Sequence, residues 1–211
     1  MDIGHFRREY LKSGLEHSDL LADPIEQFSR WFKSANDTDI PDPNAMVLAT
    51  VSGDGQPSQR TVLLKYYDEN GFVFFTNKKS RKAREIDGNP KVNLHFVWLE
   101  LERQISIAGL AAPITPAESA RYFMTRPRES QIAAWVSNQS SRISSRKLLM
   151  QAFREMKQKF ANGDVPLPSF WGGYRVNPSS LEFWQGRQNR LHDRFLYTRT
   201  DSAWEIERLA P

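Results

Sequence analysis

The chain of 211 residues contains no cysteine. Disulfides, thiolate nucleophiles and cysteine-ligated metals are thereby excluded, and a reducing cytoplasm is the expected compartment. Histidine is scarce. His5, His17, His95 and His192 show no HExxH-type pairing, so no metal site is expected. Neither GxGxxG nor GxxxxGK(S/T) occurs, which removes Rossmann-type and P-loop phosphate binding. No run approaches about 18 apolar residues, and the opening MDIGHFRREYLKSGL has no apolar signal core, so neither a membrane span nor export is expected. Repeats and low-complexity tracts are also missing.

What is present fits a packed domain. Hydrophobic residues make up 39% and charged residues 26%. Lys plus Arg is 29 against 25 for Asp plus Glu, a formal +4. That modest, dispersed excess permits nucleic-acid binding without demanding it, and small phosphorylated ligands explain it equally well. The length suits a polar, flexible N-terminal segment over 1–22, read as a frayed terminal helix, ahead of one domain over 23–211.

Asp23-Pro24 supplies a cap and a first-turn proline, and Ile25, Phe28, Trp31 and Phe32 at helical spacing predict a helix over 24–35. Strands are expected over 45–52, 58–68 and 72–77, separated by Gly-containing turns. Arg60 and Lys65 are five positions apart and face opposite ways in a regular strand, so a bulge or strand end is needed for both to meet one ligand. Ser80 caps a short helix with Arg81 and Lys82 in its first turn, where cations oppose the helix dipole unless an anion binds there. Strands over 91–100 and 103–112 follow, with Gln104, Ser106 and Ala108 on one face. Thr115-Pro-Ala-Glu118 is a capping box with proline at N1. Its helix puts Tyr122 and Arg126 on one face, and with Ser130 they make either a phosphate corner or an ordinary basic helix end. A long helix over 145–160, core or interface, precedes further strands near 171–176, 181–185, 191–199 and 204–209. About eight strands in hairpin order, with helices inserted, point to an α+β chain built mainly on a partly closed antiparallel barrel.

The stretch LEFWQGRQNRLHDR, Leu181 to Arg194, poses a separate problem. Read as strand, loop over 186–189 and strand, it projects Arg190, His192 and Arg194 from one face, with Leu191 and Phe195 opposite. Such neighbours sit roughly 6.5–7 Å apart, and their repulsion reaches a few kcal/mol at an effective dielectric of about 20. Either this is a solvated basic strand face, or an anionic ligand lies against it. Phe183 and Trp184 across the hairpin favour a flat, negatively charged one.

That stretch resembles the C-terminal signature of the pyridoxine/pyridoxamine 5′-phosphate oxidase family. RREY at 7–10, QRTVLLK at 59–65, TNKKSRKA at 76–83, LERQ at 101–104, RPRESQIAAWVSNQSSRIS at 126–144 and PLPSFWGGYRV at 166–176 are similar to family segments, in family order. The resemblance implies an FMN-binding split β-barrel with surrounding helices, a homodimer with FMN between subunits. It implies flavin contacts from Arg60, Thr61, Val62, Leu63, Leu64, Lys65, Phe75, Thr76, Arg81, Lys82, Gln104, Gln139, Ser140, Trp184 and Arg194. Lys65, Tyr122, Arg126 and Ser130 would hold the substrate phosphate, Arg190, Leu191 and His192 would meet its ring with Arg190 and His192 catalytic, and Arg7, Arg8, Glu9 and Tyr10 would form a lid. Phe75 stands where the family pattern leads one to expect Tyr. The implied reaction oxidises pyridoxine or pyridoxamine 5′-phosphate to pyridoxal 5′-phosphate with dioxygen as acceptor, without nucleic-acid or membrane partners. A split-barrel FMN reductase, a non-catalytic FMN or pyridoxal-phosphate carrier, and a basic nucleic-acid-binding barrel are the alternatives.

Overall fold

The structure, a computed structural model, describes residues 1, 3–5, 8–137 and 139–211. Helix α1 (Pro24–Asn36) starts where Asp23 accepts a 2.6 Å hydrogen bond from the Ile25 amide, with Pro24 in its first turn. Its apolar face enters the barrel. Phe28 meets Tyr67 and Phe72 edge-on at 4.9 Å and Phe96 at 5.3 Å, while Trp31 meets Phe183 at 5.2 Å. Burying rings of this size is worth about 1.5–3 kcal/mol each, which fixes the helix as the plug of the fold.

Strands β1 (Ala45–Val51) and β2 (Pro57–Leu63) form a hairpin. The tract expected as one strand over 58–68 breaks after Leu63. Leu64 donates to the Asn44 carbonyl and Lys65 to that of Val73, both at 2.9 Å, before β3 (Tyr66–Asp68) begins. This is the strand end that the spacing of Arg60 and Lys65 required. The turn into β4 (Gly71–Asn77) needs glycine, since Gly71 has φ 120° and a Cβ there would lie 2.0 Å from the Val176 oxygen.

Helix α2 (Arg81–Gly88), capped by Ser80, leads to β5 (Lys91–Trp98) and β6 (Arg103–Pro113). Helix α3 (Pro116–Thr125) carries the expected capping box, and α4 (Arg128–Val136) follows directly on the Arg126-Pro127 corner. Helix α5 (Arg146–Lys159) buries none of its residues; Phe153 and Met156 lean on a small cluster around Phe123, Ile132 and Trp171.

Strand β7 (Trp171–Gln185) runs unbroken through 15 residues where two shorter strands were expected. The turn-like NPSS tract is absorbed as an irregularity opposite Ala108 and Gly109, where proline costs no ladder bond. Strands β8 (Asp193–Arg199) and β9 (Trp204–Leu209) branch from its second half. Among the described residues the sheet has nine strands, seven in the order β2-β1-β5-β6-β7-β4-β3 with β8 on β7 and β9 on β8 off that path, every pair antiparallel, curled into a half-barrel around α1. Among the described residues no helix is long and apolar enough to cross a membrane.

The basic ridge does not form as a strand face. Arg190 ends a 3-10 turn with φ 62°, next to Asn189 at φ 56°, and β8 begins only at Asp193. Leu191 is 67% exposed rather than packed opposite the ridge, and the Arg194 guanidinium is neutralised by Glu182 at 2.7 Å. The repulsion is relieved by breaking the strand, not by lining it up.

Candidate active site

Two groups of cations gather around the start of β7, and a third group of residues lies at its far end. In the first, Arg60 projects from the inner face of β2 and donates to Glu85 on α2 at 3.2 Å and to Ser58 at 2.6 Å. Arg81, one helical turn before Glu85, donates to the other carboxylate oxygen at 2.7 Å. Thr50 and Ser58 add hydroxyl donors at 2.5 and 2.8 Å. Burial alone would raise the Glu85 pKa, but hydrogen bonds from Thr50, Ser58 and Arg81 hold it down to about 2. Lys82 is buried beside them, and among the described residues its Nζ partners are neutral: Thr76 at 3.1 Å, Gln139 at 3.2 Å and Ser80 at 3.5 Å. Burial, then the nearby Arg60 charge, push this lysine down to about 8. Ser140 accepts from the Arg81 amide at 3.2 Å, so Gln139 and Ser140 join the cluster from outside α2. Val62 is half-buried, Leu64 is buried, and Thr61 and Leu63 face outward.

The second group is the Tyr122–Arg126 corner. Phe75 stacks on Tyr122 at 4.0 Å and on Trp171 at 5.1 Å, and the Arg126 guanidinium lies 4.8 Å over Trp171. Gln131, buried on α4, donates to the Phe123 and Arg126 carbonyls at 3.1 Å and locks α4 against the end of α3. Ser130 sits half-buried in the first turn of α4. Lys65 is lowered from its usual range by burial and then by Arg126, which places the two cations in one field. Arg126 Nη1 is buried with no hydrogen-bond partner among the described residues. A buried unpaired guanidinium donor is costly, and an anion is what would satisfy it. A cavity of about 200 Å³ between Thr76, Gln139, Arg126 and Trp171 joins this corner to the first cluster.

The third group combines Trp184, His192 and Tyr10. The Trp184 and His192 rings lie 4.5 Å apart, and Tyr10 packs edge-on against both, at 5.7 and 5.5 Å. His192 Nδ1 accepts from the Arg187 amide at 3.1 Å. Burial and then the Arg190 charge lower its pKa, with Asp193 opposing, so the neutral ring carries its proton on Nε2. Gln104 pairs with Trp184 in register, and Arg194 faces Trp184 from β8. Arg8 reaches Glu102 at 3.3 Å, Glu9 is exposed, and Arg7 lies outside the described residues.

One chain therefore brings Arg60, Lys65, Phe75, Thr76, Arg81, Lys82, Gln139 and Ser140 together with Tyr122, Arg126 and Ser130. It holds Trp184, Arg190, His192 and Arg194 elsewhere. Thr76 pairs with Gly172 and Arg194 with Trp184, so the two ends are twelve residues of β7 apart, about 40 Å of strand contour. Sequence reasoning missed Glu85, Glu102, Gln131 and Trp171. Of these only Glu85, at i+4 from Arg81, carried a local signal.

A curled antiparallel half-barrel with anion-seeking clusters along its rim defines a split-barrel protein. Residues 32–160 match the family model for pyridoxamine 5′-phosphate oxidase, and 171–211 match that for the pyridoxine 5′-phosphate oxidase C-terminal dimerisation region. The chain belongs to the pyridoxine/pyridoxamine 5′-phosphate oxidase family, a family of enzymes. It is 60% identical over 210 residues to the pyridoxine/pyridoxamine 5′-phosphate oxidase of Shewanella baltica, covering 100% of this chain and 99% of that one. It is likewise 60% identical over 212 residues to the protein of that name from Hahella chejuensis, covering all of both. Among solved structures, PhzG from Burkholderia lata, in complex with tetrahydrophenazine-1-carboxylic acid, superposes with a TM-score of 0.89 at 29% identity, covering 97% of this chain and 100% of that one.

Proposed function

We propose that this protein oxidises pyridoxine 5′-phosphate or pyridoxamine 5′-phosphate to pyridoxal 5′-phosphate, using FMN as cofactor and dioxygen as final acceptor. The observation that carries the reading is the unsatisfied, buried Arg126 Nη1 beside Lys65, with a second cation cluster across one small cavity. Two neighbouring phosphate-suited clusters match a phosphorylated substrate lying on a phosphorylated cofactor.

The donor set fits FMN. Arg60, Arg81 and Lys82 outnumber Glu85, and among the described residues the hydrogen-bond partners of Lys82 are neutral, so a phosphate there relieves an existing surplus of positive charge. The run Arg60 to Lys65, with Phe75, Thr76, Gln139 and Ser140, would hold the remainder. Gln104, Trp184 and Arg194 would reach it from a second copy, because they stand together at the other end of β7. The matched dimerisation region supports a homodimer with the site between subunits. When bound, FMN supplies the two-electron acceptor for oxidation at C4′ and passes the electrons to dioxygen, giving hydrogen peroxide.

The chain's own residues position and polarise. Lys65, Tyr122, Arg126 and Ser130 grip the substrate phosphate. Arg190 and His192 clamp the ring, and neutral His192 offers its Nε2 proton as a hydrogen bond while Arg190 supplies fixed charge. Arg7 to Tyr10 close over the ring, making 1–22 a lid on a single domain over 23–211. The test is direct. Purified protein should be yellow and should release aldehyde and peroxide from pyridoxamine 5′-phosphate in air. A colourless protein that refuses FMN overturns the reading, and turnover of the unphosphorylated vitamin at equal efficiency removes the role of the Arg126 corner.

A further inference from the structure

Glu102 belongs to none of the groups assigned above, yet it is 4% exposed and holds a left-handed backbone conformation, φ 55°, between the 3-10 turn Leu99–Leu101 and β6. Its carboxylate looks outward to the N-terminal strap. Oε2 accepts from the Lys12 amide at 3.0 Å and Oε1 from Arg8 Nη2 at 3.3 Å. These contacts fall two residues after and two residues before Tyr10. The Glu102 carbonyl meanwhile accepts from the Gly186 amide at 2.8 Å and from Gln185 Nε2 at 3.2 Å, so the same residue ties down the loop that follows Trp184. Tyr10 is pressed onto that loop. A Cβ at Gly186 would come within 2.7 Å of Tyr10 Cδ1 and 3.1 Å of Glu102 Cβ.

From this geometry we infer that Glu102 is a positioning residue for the ring-binding end of the site: it brackets Tyr10 and sets the tyrosine edge against Trp184 and His192. The inference rests on the reading of Tyr10, Trp184 and His192 as the place where the substrate ring lies. Arg8 is 57% exposed at its side chain, so the ion pair itself is screened and weak. The part-buried bond to the Lys12 amide does most of the holding, and being made to backbone it fixes the path of the strap whatever side chains flank it. A second carboxylate, that of Asp193, accepts from the Leu15 amide at 3.0 Å and continues the same attachment. The strap over 8–16 is therefore seated by acceptors that grow from the barrel, and its Tyr10 ring packs edge-on against both aromatic rings of the site.

Two variants of the full-length, FMN-loaded enzyme test this. Glu102→Gly removes the carboxylate at a position whose backbone glycine accepts without strain. Lys12→Pro removes the amide donor from the exposed strap and leaves the barrel untouched. In Glu102→Gly, amide exchange over 8–16 should accelerate by about tenfold or more, with the rest of the barrel unchanged. Both variants should raise KM for pyridoxine 5′-phosphate by about fivefold or more, with a smaller change in kcat. A merely structural role would instead lower Tm and leave KM alone. The inference is overturned if Glu102→Gly exchanges over 8–16 at the wild-type rate, or if the strap loosens and KM does not move. Absence of turnover in the wild-type protein would overturn the functional reading, and the exchange comparison would still decide whether Glu102 holds Tyr10.

Discussion

Arg60 and Glu85 meet between strand β2 and helix α2, 3.2 Å apart, with Thr50, Ser58 and Arg81 on the same carboxylate. The pair neutralises one of three clustered cations and leaves the others short of negative charge. Replacing Glu85 with Gln keeps one acceptor oxygen for Thr50, Ser58 and Arg60 but turns an amide NH2 toward Arg81. It also removes the negative charge that both guanidinium groups face, and should cost about 1–3 kcal/mol of stability in the FMN-free protein. Added FMN should restore more stability to the variant than to the wild type, because its phosphate replaces the missing charge; denaturant titration with and without FMN measures both. Since the folded Glu85 pKa is lowered from 4.5 to about 2, its contribution is fully present above 4.5 and is lost as the pH falls through about 2. The Gln variant should therefore lack part of the acid-dependent loss seen in the wild type.

Lys82 gives a dependence of the same sign at high pH. Its folded pKa of about 8 lies below its usual 10.5, so the unfolded chain binds more protons between those values and FMN-free stability should rise with pH there. FMN affinity should fall over the same window, because the phosphate prefers the charged lysine. Fluorescence titration of FMN from pH 6.5 to 9.5 checks this. Lys82→Met should bind FMN more weakly, with a flatter profile.

Arg126→Met removes the guanidinium whose Nη1 has no hydrogen-bond partner among the described residues. Loss of a charge-assisted phosphate contact should cost about 1.5–3 kcal/mol, roughly 10–150-fold in KM for pyridoxine 5′-phosphate. The fold should survive, since deleting an unsatisfied buried donor removes a penalty. Unphosphorylated pyridoxine should be turned over by variant and wild type with similar efficiency, and a loss on both substrates would contradict the phosphate role.

His192 should be neutral throughout the neutral range, because burial and Arg190 both lower its pKa from 6.5. The acid limb of kcat/KM should accordingly lie below 6.5. His192→Ala or Arg190→Ala should each reduce kcat/KM by about tenfold or more. A change within a factor of about two in either variant would remove that residue from the mechanism.

Much of this was legible in the residues themselves. Asp23-Pro24 and the Thr115 capping box marked helix starts that the structure keeps, because capping is local. The mismatch between Arg60 and Lys65 announced the break after Leu63. Where local cues competed with tertiary contacts the reading slipped. Separate strands were expected over 171–176 and 181–185, but the irregularity opposite Gly109 carries β7 through Pro178 without a break. Arg190 and His192 read as strand residues, but the left-handed conformations of Asn189 and Arg190 end the strand and turn the chain under Tyr10. Glu102 could not be foreseen, since its role depends on a strap that returns from ninety residues away.

The most direct test of a site shared between two copies is a mixed dimer. Lys82→Met and Arg190→Ala damage opposite ends of β7, and each alone should be nearly inactive. Co-expressed with separable tags, the mixed dimer should recover one intact site of its two, about half the wild-type activity per dimer. If the mixed dimer stays as inactive as its parents, all the residues of each site come from one chain and the account is wrong.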